Sequence, residues 1–364
     1  MSFFSSRSGM IFSGLLVGVM AVFLVLMGNP ANMGVCIACF YRDVAGALGF
    51  HQAATVQYMR PEILGIMLGA FITSLVAREF KPQGGSSTML RFFIGVMVMF
   101  GALVFLGCPL RMLLRLGAGD LNAFVALIGF IAGILTGIYF LKNGFTLNRA
   151  YNQSSATGYV LPVIFVIFLV LAGGTGIFKV STEGPGSLHA PFLISLIVGL
   201  IVGFLAQRTR LCIAGGIRDA FLIRDFHLVS GFLAILIATM VMNLIFGKFK
   251  LGFAEQPIAH TSHLWNFLGL YVVGLGATFL GGCPLRQTVL AGQGNVDSAV
   301  TIIGFIVGAA LAHNFGIAAS PKGVGMAGQY IVVISIVLLF IIGFIHSKFG
   351  AAFNSTQKQA SINR

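Results

Sequence analysis

Two short strings occur twice in the chain, and each joins a thiol to a guanidinium. Cys108-Pro109-Leu110-Arg111 returns as Cys283-Pro284-Leu285-Arg286. Cys36-Ile37-Ala38, followed by Arg42-Asp43, returns as Cys212-Ile213-Ala214, followed by Arg218-Asp219. A thiol is a weak, polarizable donor that contacts sulfur or selenium well and discriminates poorly among hard oxyanions. An arginine about one helical turn further on adds a planar fork of donors for negative charge. The doubled pattern predicts passage of a small sulfur- or selenium-containing anion. Cys36, Cys108, Cys212, Cys283, Arg42, Arg111, Arg218 and Arg286 are the residues expected to contact it. Each Arg-Asp step is equally well read as structural, with each member able to pair with the opposite copy.

A lone buried cysteine is ordinarily a small hydrophobe. Four at matched positions argue against that reading, whereas Cys39, opposite Gly215, is left with it. Cys36-x-x-Cys39 has redox spacing but no βαβ pattern around it, and zinc-site spacing is absent. No cofactor and no metal are expected. Carrying an anion breaks no covalent bond, so the chain is not read as an enzyme. Two alternatives stay open: a membrane thiol oxidoreductase using Cys36 and Cys39, and a soft-metal transporter, since thiolates suit Cu(I) and zinc.

The surroundings of these residues are almost free of charge. Of 364 residues 57% are hydrophobic and 9% charged, and the mean hydropathy is +0.98. A soluble domain carries roughly a quarter charged residues. The chain is therefore expected to be an all-α integral membrane protein. Long unbroken apolar stretches exclude an outer-membrane barrel, whose strands alternate. The net charge of +13 is spread over short loops rather than gathered in a run, which reads as topogenic charge and not as a nucleic-acid surface.

Hydropathy predicts about ten spanning helices, over 10–27, 62–78, 91–107, 121–141, 159–178, 190–207, 228–247, 264–281, 297–318 and 328–346. Four pieces that start near Cys36, Cys108, Cys212 and Cys283 are too short to span. They read as re-entrant half-helices, with Pro109 and Pro284 suited to a helix start. Irregular backbone at membrane depth is tolerated only inside protein or beside a water-filled cavity. Inward-pointing helix N-termini favour anions.

The order of elements repeats, giving a first unit (1–150), a linking transmembrane helix (151–189), a second unit (190–320), and a closing helix with a polar tail (321–364). An even number of spans per unit and one linking helix predict an inverted repeat and an hourglass outline, an arrangement that places the site at the repeat interface. Arg7, Arg78, Lys81, Arg91, Lys142, Arg149, Arg208, Arg210, Arg224, Lys348, Lys358 and Arg364 fall on one side. Arg60, Arg115, Lys179, Lys248, Lys250 and Lys322 fall on the other. The richer side is expected to be cytoplasmic, with both termini there. His51, His189, His260, His263 and His313 lie near loops without ligand spacing. Gly129, Gly133 and Gly137, like Gly304 and Gly308, fit close helix packing.

At the doubled Cys-Pro-Leu-Arg and Cys-Ile-Ala…Arg-Asp motifs the chain resembles the YeeE/YedE family of membrane proteins, over nearly its whole length. That family includes thiosulfate importers and a branch associated with selenium; Gly-Asn-Pro-Ala-Asn at Gly28–Asn32 looks more like the latter. The resemblance implies an hourglass-shaped importer in the bacterial cytoplasmic (inner) membrane. Its cysteines would relay the anion through S–H contacts, a role falling on Cys108 and Cys283, with Cys36 and Cys212 next. It also implies a cytoplasmic partner similar to the small TusA-like sulfur carriers.

Overall fold

The computed structural model describes residues 2–348. Lys358, Arg364 and the polar tail lie outside the described residues. The chain is helical almost throughout. After α1 (Ser2–Ser5), the first unit contains α2 (Arg7–Leu26), α3 (Ile37–Ala47), α4 (Pro61–Val76), α5 (Thr88–Phe105), α6 (Pro109–Gly117) and α7 (Leu121–Lys142). Helix α8 (Ser155–Gly174) links it to a second unit of α9 (Phe192–Thr209), α10 (Ile213–Leu222), α11 (His227–Ile245), α12 (His263–Leu280), α13 (Pro284–Gly292) and α14 (Val296–Asn314), and α15 (Met326–Ile345) follows. Two-residue strands β1 (Gln83–Gly84) and β2 (Tyr151–Asn152) pair antiparallel between links.

Among the described residues nine helices are long and apolar enough to cross a membrane, and α4 is a shorter apolar helix. Together these are the ten spans expected from hydropathy. The 16 residues of α4 extend only about 24 Å, less than the roughly 30 Å hydrocarbon thickness. Helices α8 and α15 bury few of their residues, as a lipid-facing helix does, and Val170 and Met326 are 66% and 68% exposed.

The two units pack reciprocally. Helix α2 lies along α11, and its counterpart α9 lies along α4; α5 lies along α14, and its counterpart α12 lies along α7. Small residues bring the backbones together, because between lipid-solvated helices close van der Waals contact replaces the hydrophobic drive. A Cβ on Gly133 of α7 would stand 2.2 Å from the Tyr271 carbonyl oxygen of α12, and one on Gly304 of α14 would stand 2.4 Å from that of Phe92 on α5. The packing role expected for these glycines is what they have.

Arg60 and Arg115, read from sequence as loop charges on the poorer side, are both fully buried. Each has a buried carboxylate partner, Asp43 and Asp120 respectively, at 2.7 Å. Counting loop charge reads them as solvated because it sees charge and not the partner that removes the cation from water. Setting them aside sharpens the loop-charge asymmetry rather than weakening it.

Candidate functional site

The doubled motifs become four short helices, each entered from a cysteine. Cys36 and Cys212 are N-caps of α3 and α10, and their sulfurs accept from the backbone N–H of Cys39 (3.3 Å) and Gly215 (3.2 Å). Cys108 and Cys283 stand before Pro109 and Pro284, the first residues of α6 and α13, and make no side-chain cap bond. Proline at that position sacrifices no hydrogen bond, since the N–H is orphaned anyway. The second cysteine of each unit is thus free to turn toward the first. In the second unit the Cys212 thiol donates to Cys283 Sγ at 3.8 Å. In the first, Cys36 and Cys108 are both buried, and the sulfur contact that Arg111 makes is to Cys39. All five cysteines are buried and unbridged.

The chain arrives at Cys108 and Cys283 through a left-handed helix cap, Leu106 (φ 65°) in one unit and Gly281 (φ 80°) in the other. The next residue is glycine in both, and the arginine stem folds over it. A Cβ on Gly107 would stand 2.8 Å from Arg111 Cδ, and one on Gly282 would stand 2.7 Å from Arg286 Cγ. The Gly-Cys-Pro-Leu-Arg string is a device that bends the backbone and lays a guanidinium back toward the thiol.

The two arginines end differently. Arg111 is fully buried. Its Nε donates to Asn32 O (3.1 Å) and its Nη2 to Ile258 O (3.3 Å), while Nη1 donates to Leu106 O and to Cys39 Sγ (3.5 Å). Cys39 is therefore buried, as a packing residue would be, and also touches the cation. Arg286 makes no side-chain hydrogen bond among the described residues, and its Nη1 is buried without a partner. It lines a cavity of about 340 Å³.

Arg42 and Arg218 do not reach across to the opposite copy. Each folds back on its own neighbour: Arg42 Nε to Asp43 Oδ1 at 2.8 Å, and Arg218 Nε to Asp219 Oδ1 at 2.8 Å. The guanidinium stem is long enough to bring adjacent helical residues together, which the side-chain directions alone would not. Asp43 also accepts from Arg60 Nε at 2.7 Å, and Arg60 donates onward to Leu188 O and Pro185 O. This pair is buried, whereas Arg218 and Asp219 are 28% and 18% exposed. Besides the Arg111–Ile258 contact, a side-chain bond joins thiol helices of the two units directly, Tyr41 Oη of α3 to Thr288 Oγ1 of α13 at 3.0 Å.

Sequence reading missed Arg115. Its guanidinium lies 4.2 Å over the Phe105 ring and donates to Asp120 Oδ2 (2.7 Å) and Phe105 O (2.9 Å). Its signal was available, an aspartate five residues on at a helix start. The histidines do not cluster at the thiols: His51 packs on His313 with centroids 4.7 Å apart, and His189 stacks on Tyr58. The Gly28–Asn32 segment joins the first turn of α4 to the link before α9, with Asn29 donating to Glu62 Oε1 and accepting from the Ala190 N–H.

Fold and site together define a multi-pass helical membrane protein in which each copy of the doubled motifs buries two cysteines and carries an arginine three residues after the second. Over residues 1–108 and 208–359 the chain matches a family described as sulphur transport, and it belongs to that family, the YeeE/YedE group its motifs resemble. It is 31% identical over 121 residues to the thiosulfate transporter TsuA of Escherichia coli (strain K12), which is 33% of this chain and 34% of that protein. It is 30% identical over 99 residues to the thiosulfate transporter TsuA of Spirochaeta thermophila, which is 27% of this chain and 29% of that protein. The chain thus aligns with about a third of the length of these curated relatives.

Proposed function

We propose that the protein carries a small sulfur-containing anion, thiosulfate, across the bacterial cytoplasmic membrane. The two units are inverted copies, both termini face the cytoplasm, and the thiol pairs with Arg111 and Arg286 form the constriction. The observation that carries this reading is that each unit buries its two motif cysteines at the starts of two short helices, with the motif arginine stem laid over the glycine before the second cysteine, in a chain of a sulphur-transport family. Thiols give weak, reversible contacts to sulfane sulfur, which suits passage better than tight binding. The cations offset the cost of bringing an anion to membrane depth. Arg42 and Arg218 serve the route indirectly, by fixing α3 and α10 through their aspartates.

A dianion entering against an inside-negative potential of 100 mV loses about 4.6 kcal/mol, twice the figure for one charge. Entry therefore needs either a co-travelling cation or prompt consumption inside, and a TusA-like sulfur carrier docked on the cytoplasmic face would supply the latter. Selenium analogues share the soft contact chemistry and are candidate cargo. The test is uptake of labelled thiosulfate, sulfate and selenite into proteoliposomes. Thiosulfate should enter well above empty liposomes and sulfate should not. Equal uptake of thiosulfate and sulfate, or none of either, overturns the reading; selenite entry would place selenium among the substrates.

A further inference from the structure

The equivalent arginines of the two units differ in what surrounds them. Every donor-bearing nitrogen of Arg111 is spent on backbone carbonyls or on Cys39, and the residue is sealed from solvent. Two of its acceptors come from links outside the motif, Asn32 before α3 and Ile258 before α12. Arg286 has no such seal. It is largely buried, its Nη1 has no partner, and no carboxylate pairs with it among the described residues. Instead a second guanidinium, Arg210, lies within Coulombic reach.

Both arginines open on the same cavity of about 340 Å³, together with Lys81, Glu79, Gln293 and Asn295. The carboxylate there is already committed, since Glu79 accepts from Gln207 Nε2 at 2.7 Å and from Arg208 Nη1 at 3.2 Å. Arg210 and Lys81 have no ion-pair partner among the described residues. The wall thus presents three positive groups without counter-charge, one of them poorly solvated. Arg210 and Lys81 are exposed and hydrated, so it is the buried, unpartnered Nη1 of Arg286 that leaves a donor for an anion to complete. A recess lined by one sign of charge also concentrates the opposite ion. At roughly 30 Å³ per water, the volume takes a tetrahedral dianion with part of its hydration shell.

We propose that the cavity between Arg286, Arg210 and Lys81 is a second anion site, an antechamber on the face that carries the α4–α5 and α9–α10 links. It reads charge rather than softness and takes divalent oxyanions in general, sulfate as well as thiosulfate. This deepens the transport reading above and rests on it: the antechamber holds an anion beside the inner thiols, and discrimination for sulfane sulfur is left to Cys212 and Cys283. Ammonium and guanidinium groups bind oxyanions by charge and hydrogen bonding, with nothing in the wall to recognise a terminal sulfur.

The test is calorimetric titration of sodium sulfate into the purified full-length protein. Wild type should bind sulfate, and thiosulfate should compete with an affinity within about threefold. Arg210→Gln should weaken sulfate binding tenfold or more, and Lys81→Gln by about threefold. Arg210→Lys should retain most of it. Lys322→Gln removes the same charge from the link between α14 and α15 and should stay within twofold of wild type. Arg210 is exposed, so its variants are expected to fold; the melting midpoint checks this. Absence of sulfate binding to wild type, or wild-type affinity in Arg210→Gln, overturns the proposal. A protein that binds sulfate through Arg210 but fails to carry thiosulfate would sink the transport reading and leave this site standing. One that carries thiosulfate but binds no sulfate, or binds it equally well in Arg210→Gln, would do the reverse.

Discussion

The Arg115–Asp120 pair of the first unit has an apolar and neutral counterpart in the second. Counting from the motif arginines, Leu290 stands where Arg115 does, and Asn295 stands where Asp120 does. Asp120 and Asn295 share a task, since each caps the following helix: Asp120 Oδ1 accepts from Asn122 N at 2.9 Å and Asn295 Oδ1 from Ser298 N at 2.8 Å. Only the first unit adds the ion pair, both members of which are fully buried at 2.7 Å. At an effective dielectric of 20 that separation corresponds to about 6 kcal/mol of Coulomb energy. Much of this offsets the desolvation of two ions, so removing both partners is far milder than removing one. Arg115→Leu should cost about 3–5 kcal/mol by leaving Asp120 unpaired, and Asp120→Asn a similar amount by leaving Arg115 unpaired. The double variant reproduces the second unit's solution and should cost less than about 2 kcal/mol, so the cycle shows a coupling of at least about 4 kcal/mol. Denaturant titration of the purified protein, with melting midpoints as a cross-check, measures all three. Single-variant costs that add to within about 0.5 kcal/mol in the double would refute the argument.

The two Arg-Asp steps should also differ. Asp43→Asn leaves Arg42 and Arg60 buried without a counter-charge and is expected to destabilise by about 3–5 kcal/mol. Asp219→Asn, in a partly exposed pair, should cost under about 1 kcal/mol; comparable shifts in the two melting curves would contradict this. Gly133→Leu should block the α7–α12 contact and abolish the folded monodisperse peak in size-exclusion chromatography. Gly174→Leu, where a Cβ meets nothing within 4 Å, should leave the peak unchanged. Cys39→Ala removes one weak acceptor from Arg111 and should keep thiosulfate uptake within about threefold of wild type, whereas a thiol oxidoreductase built on Cys36 and Cys39 would lose its activity entirely.

The frame of the molecule was legible because a membrane imposes a length and polarity rule on every spanning helix, and because Pro109 and Pro284 mark helix starts by their missing N–H. The thiol helices could be placed at their cysteines for the same reason. What could not be read was pairing across distance in sequence. Asp43 is shared with Arg60, which in turn holds carbonyls at Pro185 and Leu188, and nothing in the order of residues announces that. Nor does the identical Cys-Pro-Leu-Arg string reveal that Arg111 is sealed by Asn32 and Ile258 while Arg286 faces Arg210 and open volume. Those fates are set by the links that fold over each motif, which differ between the units where the motifs do not.

The most direct test of the proposed route is the initial rate of labelled thiosulfate uptake by proteoliposomes carrying Cys108→Ala or Cys283→Ala, each checked for intact folding. Because one thiol sits in each unit and the anion is held to pass both, each variant alone should reduce uptake at least tenfold, by loss of the S–H contact rather than of charge. Wild-type uptake in either variant would show that the anion does not pass that sulfur.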